Sequence, residues 1–293
     1  MNPQKIKELL ILSGKGGTGK TSVTASFAML AEKAVLADCD VDAADLHLIL
    51  TPQIKEQHRF ICGNLAVIRQ DDCISCNRCL EVCRFKAVSV GVDEKYSIDP
   101  ASCEGCGVCV QQCVADAIDF PERDSGCWMI SDTRCGVMVH AQLAPAAENS
   151  GKLVTLVRDK ARQQAEQNMS PLIISDGPPG IGCPVIASLS GVSFVLVITE
   201  PSVSGLHDLK RVLALAKHFS VPAAVCVNKW DINPQQTKLI EEATEKAGAV
   251  VAGRICFDSS VTNAQLQGKA AVEFSGKAAD DIKNLWSRVV KLL

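Results

Sequence analysis

Aromatic residues are scarce in this 293-residue chain, at 4% of positions with a single tyrosine, and there is no surplus of positive charge. Thirty lysines and arginines are set against 33 aspartates and glutamates, for a net charge of -3. Without a basic bias the sequence lacks the electrostatic footprint of a nucleic-acid binder, and no nucleic-acid partner is expected. No apolar run reaches the ~18 residues that a membrane span requires. The opening MNPQKIKELLILSGKGG lacks the longer apolar region and small-residue cleavage site of a secretion signal. A cytoplasmic protein is expected, without membrane contact. What the chain does have is 47% hydrophobic residues and 15 cysteines. Disulfides do not persist in a reducing compartment, so that many thiols point to metal.

Apolar runs at 8–13, 34–40, 171–180, 192–201 and 221–229, with a weaker one at 249–255, read as buried strands, and 205–219 and 234–248 carry helical patterns between them. Such alternation implies βαβ units: an α/β fold with a mostly parallel sheet and flanking helices. Residues 69–120 break this rhythm. CISCNRCLEVCRFKAVSV (73–90) and CEGCGVCVQQCVADAIDF (103–120) are one eighteen-residue pattern written twice. The expected organisation is therefore a discontinuous domain, 1–68 and 121–293, with a small α+β ferredoxin-like domain inserted at 69–120.

Each copy of the repeat is C-x2-C-x2-C-x3-C. Three thiolates at this spacing can wrap one iron–sulfur cube, while the fourth reaches the neighbouring cube. The ligand sets are expected to cross: Cys73, Cys76, Cys79 and Cys113 for one [4Fe-4S] cluster, and Cys103, Cys106, Cys109 and Cys83 for the other. Zinc also favours paired C-x2-C, but two duplicated runs of this form match a pair of tetrahedral sites poorly. Two-cluster ferredoxins usually carry proline after the fourth cysteine, whereas Arg84 and Val114 stand there.

GKGGTGKT (14–21) satisfies G-x-x-x-x-G-K-[ST] between a strand and a helix. The segment Gly14, Lys15, Gly16, Gly17, Thr18, Gly19, Lys20, Thr21 and Ser22 is expected to hold the phosphates of a nucleotide through backbone N–H groups and the helix start. Lys20 would reach the β- and γ-phosphates and Thr21 would coordinate Mg2+.

The additional Lys15 makes KGGTGKT resemble the deviant phosphate loop of the MinD/ParA/Mrp and nitrogenase-iron-protein ATPases. The resemblance implies that ATP closes a face-to-face dimer, as a homodimer or with a similar ATPase, and that Lys15 reaches the partner's nucleotide. DCDVDAADLH (38–47) resembles the first switch of that group, with Asp40 orienting the attacking water. Asp38 and Asp42 are either site groups or ordinary strand-end carboxylates. IISDGPPGIG (173–182) resembles the second switch, with Asp176 holding Mg2+ through water and the Gly180 N–H given to the γ-phosphate. VNKWD (227–231) resembles the adenine-reading segment, with Asn228 facing the base and Asp231 beside it. By this resemblance Lys15, Lys20 and Asp40 are the catalytic set. The likeness is closest to MinD-superfamily ATPases carrying an inserted two-cluster ferredoxin domain, and it runs over essentially the whole chain. Cys135 and Cys256 depart from it, standing where an aromatic and a proline are usual.

Seven cysteines remain. Cys183 lies seven residues after Asp176, a spacing that resembles a cysteine of the nitrogenase iron protein that helps hold a dimer-bridging cluster. Cys135 or Cys127 would have to supply the second thiol; packing is the alternative. No C-x2-C follows Cys109, so the bridging motif of Mrp-like cluster carriers is absent. His140 and His207 read as satisfied polar contacts or site-lining groups. The C-terminal Ile282, Leu285, Trp286, Val289 and Val290 share a helix face, expected to pack on the domain, with a membrane-surface tail as the alternative. Three functions fit: ATP-gated electron transfer from the clusters to a redox or metallocofactor partner, ATP-dependent assembly or carriage of a metal cofactor, and MinD-like positioning with redox-sensing clusters.

Overall fold

The computed structural model describes residues 5–145, 147 and 150–293. It divides into two compact units: Met1–Gln57 with Trp128–Gln142 and Ser150–Leu293, and a smaller one, His58–Cys127 with Leu143–Asn149. The chain opens with β1 (Lys7–Ser13), α1 (Lys20–Leu30), β2 (Ala34–Asp38), α2 (Leu46–Leu50) and β3 (Gln53–Asn64). Short elements follow: β4 (Val67–Ile68), α3 (Arg78–Val82), β5 (Val88–Val90), β6 (Tyr96–Ile98), α4 (Val108–Gln112) and β7 (Ile118–Asp119). Next come β8 (Glu122–Thr133), β9 (Gly136–Leu143), α5 (Ser150–Gln167), β10 (Leu172–Pro179), α6 (Cys183–Leu189) and β11 (Phe194–Thr199). The chain closes with α7 (Val203–His218), β12 (Ala223–Asn228), α8 (Pro234–Lys246), β13 (Val250–Ile255), α9 (Ser259–Leu266) and α10 (Lys277–Leu292).

The main sheet runs β13-β12-β11-β1-β10-β2-β9-β8-β3, and every pairing from β13 through β9 is parallel. Period-2 alternation sends Leu9 and Ile11 to one face, with Phe27 of α1 and Leu285 of α10, and Leu10 and Leu12 to the other, with Leu189 of α6 and Leu209 of α7. Both faces are covered, which is why these strands read as continuous apolar runs. β3 and β8 escape such a reading because they are much less buried: β3 is exposed at its first seven positions. β8 and β9 are sheet neighbours joined through Arg134 and Cys135 alone, which makes them a hairpin.

One charge sits under this sheet. Glu8 of β1 is 2% exposed. Its two oxygens accept from Nε and Nη2 of Arg158 on α5, each at 2.8 Å, and Oε1 also accepts from Ser175 Oγ at 2.9 Å. Burial works against the charge on Arg158, but the bonds and charge of Glu8 outweigh it and raise its pKa. His140 on β9 is also buried, bonded to Ser131 Oγ at 2.8 Å, and loss of hydration lowers its pKa from 6.5 to about 4, helped by His47. His207 is exposed beside Asp208.

The final helix packs on the domain. Ile282, Leu285 and Val289 are buried, Trp286 meets the Phe27 ring at 4.8 Å between centroids, and Val290 is left half-exposed. Among the described residues no helix is long and apolar enough to cross a membrane.

In the smaller unit β4 pairs antiparallel with β7 and β5 with β6. The sequence repeat is also a backbone repeat. Asn77 and Gly107 start α3 and α4 in the left-handed region (φ 67 and 73), and Cys83 and Cys113 end them with φ -76 and -77 and ψ 100 and 103.

Two stability predictions follow from the buried polar groups. Arg158→Met alone leaves the buried Glu8 carboxylate to Ser175 and to Arg162 at 3.6 Å and is expected to cost ~3 kcal/mol in urea unfolding, whereas the double variant with Glu8→Leu should recover most of that loss. For His140, the unfolded chain gains a proton below pH 6.5 that the folded ring refuses. Stability should therefore fall by up to ~3 kcal/mol as pH drops from 6.5 towards 4, and His140→Asn should flatten that slope.

Candidate functional site

The phosphate loop joins β1 to α1. A Cβ at Gly14 would collide with Asp208 of α7, and Gly19 adopts φ 89 against the Asn228 side chain, so glycine is required at both positions. Asn228 Nδ2 donates to the Thr18 carbonyl at 2.8 Å and braces the loop from the end of β12.

Lys20 begins α1 with 6% of its side chain exposed. Its Nζ lies 3.0 Å from Asp176 Oδ2, within β10, and 3.4 Å from Asp40 Oδ2, beyond the end of β2. Burial opposes this charge, yet Asp176, Asp40 and Asp38 together outweigh it and raise the Lys20 pKa. The hydroxyls of Thr21 and Thr24 donate to the two oxygens of Asp176 at 2.8 and 2.7 Å. Thr21 and Asp176, the expected Mg2+ pair, are thus in direct contact.

Asp38 is fully buried. One oxygen accepts from the Asp40 N–H at 3.2 Å, while the other and the hydroxyl of Thr18 have no hydrogen-bond partner among the described residues. Burial, reinforced by the charge of Asp176, pushes the Asp38 pKa well up; burial also raises that of Asp40, against the pull of Lys20. Two unpartnered buried oxygens and a lysine held by carboxylates fit a site for phosphate and a cation. Asp42 is exposed.

Lys15 pairs with Glu200 at the C-terminal end of β11, and its Nζ donates to Ser204 Oγ at 3.2 Å; Lys229 is 3.9 Å from the other Glu200 oxygen. The Gly180 N–H donates to the Ser13 carbonyl at 2.9 Å, so a phosphate contact requires release of that bond. A cleft of about 570 Å3 extends from Gly16–Val23 past Asn228 to Phe257, Asp258 and Gln265, within the usual range for ligand sites. Sequence reasoning missed Glu200 and Gln265, whose amide donates to Ser22 Oγ at 2.8 Å. Asp231 instead accepts from the Phe257 N–H at 2.7 Å and fixes the cleft rim.

In the smaller unit one cavity is walled by Cys73, Cys76, Cys79 and Cys113, and a second by Cys83, Cys103, Cys106 and Cys109. These are the two crossed sets. Among the described residues no three His, Cys, Asp or Glu side chains converge on a point that would hold a single metal ion. The donor chemistry fits iron–sulfur ligation: four soft thiol groups line each cavity, the number of thiolates that a cubane cluster takes.

Of the remaining cysteines, Cys39, Cys226 and Cys256 are buried. Cys135 packs its Sγ 3.0 Å from Met29 Sδ, in the turn before Gly136, which lies against Ala34 at the start of β2. Cys183 opens α6 beyond the far end of β10, which runs parallel to β2. The length of an eight-residue strand, about 26 Å, separates these two ends of the sheet. Cys183 and Cys135 of one chain therefore cannot share a cluster.

A model of the family described as CobQ/CobB/MinD/ParA nucleotide binding domain matches residues 9–272. An uncharacterized protein of Methanocaldococcus jannaschii is 35% identical over 78% of this chain and 80% of its own length. An iron-sulfur cluster carrier protein of the same organism is 20% identical over 99% of this chain and 86% of its own. Among solved structures, the septum site-determining protein MinD of Pyrococcus horikoshii, complexed with Mg-ADP, aligns over 98% of this chain and 97% of its own with a TM-score of 0.57 at 16% identity, a likeness of fold.

Asp38→Asn offers a test of the electrostatics. Because the folded pKa of Asp38 is raised, its charge weakens the fold above that pKa and costs nothing below the unfolded value near 4. The variant should melt higher than the parent at pH 7.5, by about 2–4 °C for each kcal/mol relieved, and the difference should vanish as pH falls below 4.

Proposed function

Since the chain belongs to the CobQ/CobB/MinD/ParA nucleotide-binding family, we infer that it is a cytoplasmic Mg2+-dependent ATPase that couples its nucleotide state to electron transfer from two [4Fe-4S] clusters to a partner protein. The observation that carries this reading is the pair of crossed cysteine-walled cavities, present in the same chain as a complete phosphate loop.

The residues of the loop divide the work. Lys20 is held by Asp176 and Asp40, and a β,γ-phosphate competes for the same ammonium. Once Lys20 turns to phosphate, Asp40 is released to accept a bond from the attacking water, and Asp176 and Thr21 are released to hold Mg2+ directly or through water. The metal supplies charge neutralisation for the transferred phosphoryl group. The Asp40 pKa, raised by burial, makes that carboxylate a better proton acceptor than a solvated one. Backbone N–H groups of Gly14–Gly19 and the start of α1 bind the phosphates, and Asn228 keeps the loop in shape beneath the base. Lys15, by family resemblance, completes the site of a second subunit, either another copy or a similar ATPase. To do so it must leave Glu200 and Ser204.

In the smaller unit Cys73, Cys76, Cys79 and Cys113 would hold one cluster and Cys103, Cys106, Cys109 and Cys83 the other. The clusters supply one-electron storage. A second reading is ATP-dependent scaffolding or carriage of an iron–sulfur or other metal cofactor; it is favoured by the likeness to a cluster carrier over nearly the whole chain. Redox-sensing in a MinD-like positioning ATPase has only the fold in its support.

The deciding experiment is an anaerobic potentiometric titration followed by electron paramagnetic resonance, with and without a non-hydrolysable ATP analogue. A nucleotide-dependent midpoint or spin coupling is expected for a gated electron donor. Unchanged titrations, together with transfer of iron to an apo-acceptor on ATP addition, would replace this reading with carriage. Lys20→Ala should lower hydrolysis at least ~100-fold by removing phosphate stabilisation in the transition state.

A further inference from the structure

The two cysteine-walled cavities share a plan but differ in chemistry. In the repeat, Arg78 corresponds to Val108, Asn77 to Gly107, and Ala117 to Ala87. The first cavity takes Arg78, Asn77 and Tyr96 into its wall, and the Tyr96 hydroxyl donates to Asn77 Oδ1 at 3.0 Å. Arg78 is exposed and forms no ion pair among the described residues. At the matching places the second wall has Val108 and Gly107, beside Phe85, Val88 and Ile98, and the only charged group in it is Glu104. A third difference concerns the ligands themselves. The Ala117 N–H donates to Cys113 Sγ at 3.2 Å; the equivalent Ala87 N–H has no such bond to Cys83 among the described residues.

Reduction adds one negative charge to an iron–sulfur cluster. A nearby cation, a polar wall and a hydrogen bond to a ligand sulfur each favour the reduced form and raise the potential, while an apolar wall lowers it. Arg78, the polar wall and the sulfur hydrogen bond all favour reduction at the first site; against them stands Arg123, whose Nη1 donates to the Cys103 carbonyl at 3.1 Å beside the second. Resting on the two-cluster reading above, we propose that the Cys73–Cys76–Cys79–Cys113 site holds the cluster of higher potential, with Arg78 and the Ala117 N–H as the groups that set it apart. A low-potential one-electron donor then loses one electron to this site first. The Cys103–Cys106–Cys109–Cys83 site fills second, with a second electron, and is the stronger reductant of the pair. No proton or bond is exchanged.

The test uses the full chain with its clusters reconstituted anaerobically. Iron content of roughly eight per chain, as two cubes of four, checks the underlying reading; a chain that takes up only isolated iron or a single cluster overturns that reading before potentials are measured. Given two clusters, the native protein is expected to titrate with two separated midpoints. Arg78→Val should move the upper midpoint to more negative potential and leave the lower in place. Val108→Arg should raise the lower midpoint, and the swapped double variant should narrow or invert the gap. Both positions are exposed, so iron content should be unchanged in each variant. Coincident midpoints in the native chain would overturn the proposal, as would an Arg78→Val variant in which neither midpoint moves or only the lower one does.

Discussion

A single ammonium group organises the nucleotide-binding half of this protein. Lys20 is almost wholly buried and is faced by three carboxylates, from two parallel strands and the residues just beyond. Burying that charge alone would be prohibitive, so the sheet register that brings Asp38 beside Asp176 and the loop that delivers Lys20 between them depend on one another. Asp38 and Thr18 each bury an oxygen that has no hydrogen-bond partner among the described residues. A ligand that is both anionic and metal-bound satisfies the lysine and the carboxylates together, and neither part alone does so.

The same economy appears at Lys15. The family resemblance reads this lysine as a group for a partner's nucleotide, yet within one chain it is held by Glu200 and Ser204. Its release has a cost, and any new partner of the ammonium must provide more than that cost. Glu200 also faces Lys229 just beyond the end of β12, so two lysines from different loops share one counter-ion.

In the smaller unit the organising constraint is the repeated backbone. Left-handed residues at 77 and 107 open two one-turn helices, and Cys83 and Cys113 leave them with nearly the same dihedral angles. The two fourth cysteines are thereby sent to each other's cavities. The backbone repeats faithfully while the side chains in the walls do not, which is how a duplicated fold comes to hold two unlike sites.

The parallel strands, the phosphate loop and the two thiol quartets were legible in the chain itself, because each is written as a local pattern: an apolar run, a glycine spacing, a cysteine spacing. β3 and β8 were not, since an exposed strand and a half-buried one carry no such run, and the edges of the smaller unit at His58 and Cys127 lie inside those strands, beyond the cysteine-rich segment. Nor could the sequence separate Asp38 from Asp42; the fold buries one beside Asp176 and leaves the other in water. The fate of the spare thiols was likewise a matter of place. Spacing from Asp176 singled out Cys183 and left Cys135 or Cys127 to supply a second thiol, but parallel strands put Cys183 and Cys135 at opposite ends of the sheet. Sequence determined which groups are present and at what intervals along the chain, because those intervals fix local geometry. Tertiary structure decided which groups meet and which lose their water, because Coulomb energy and desolvation depend on distances in space that no interval along the chain specifies.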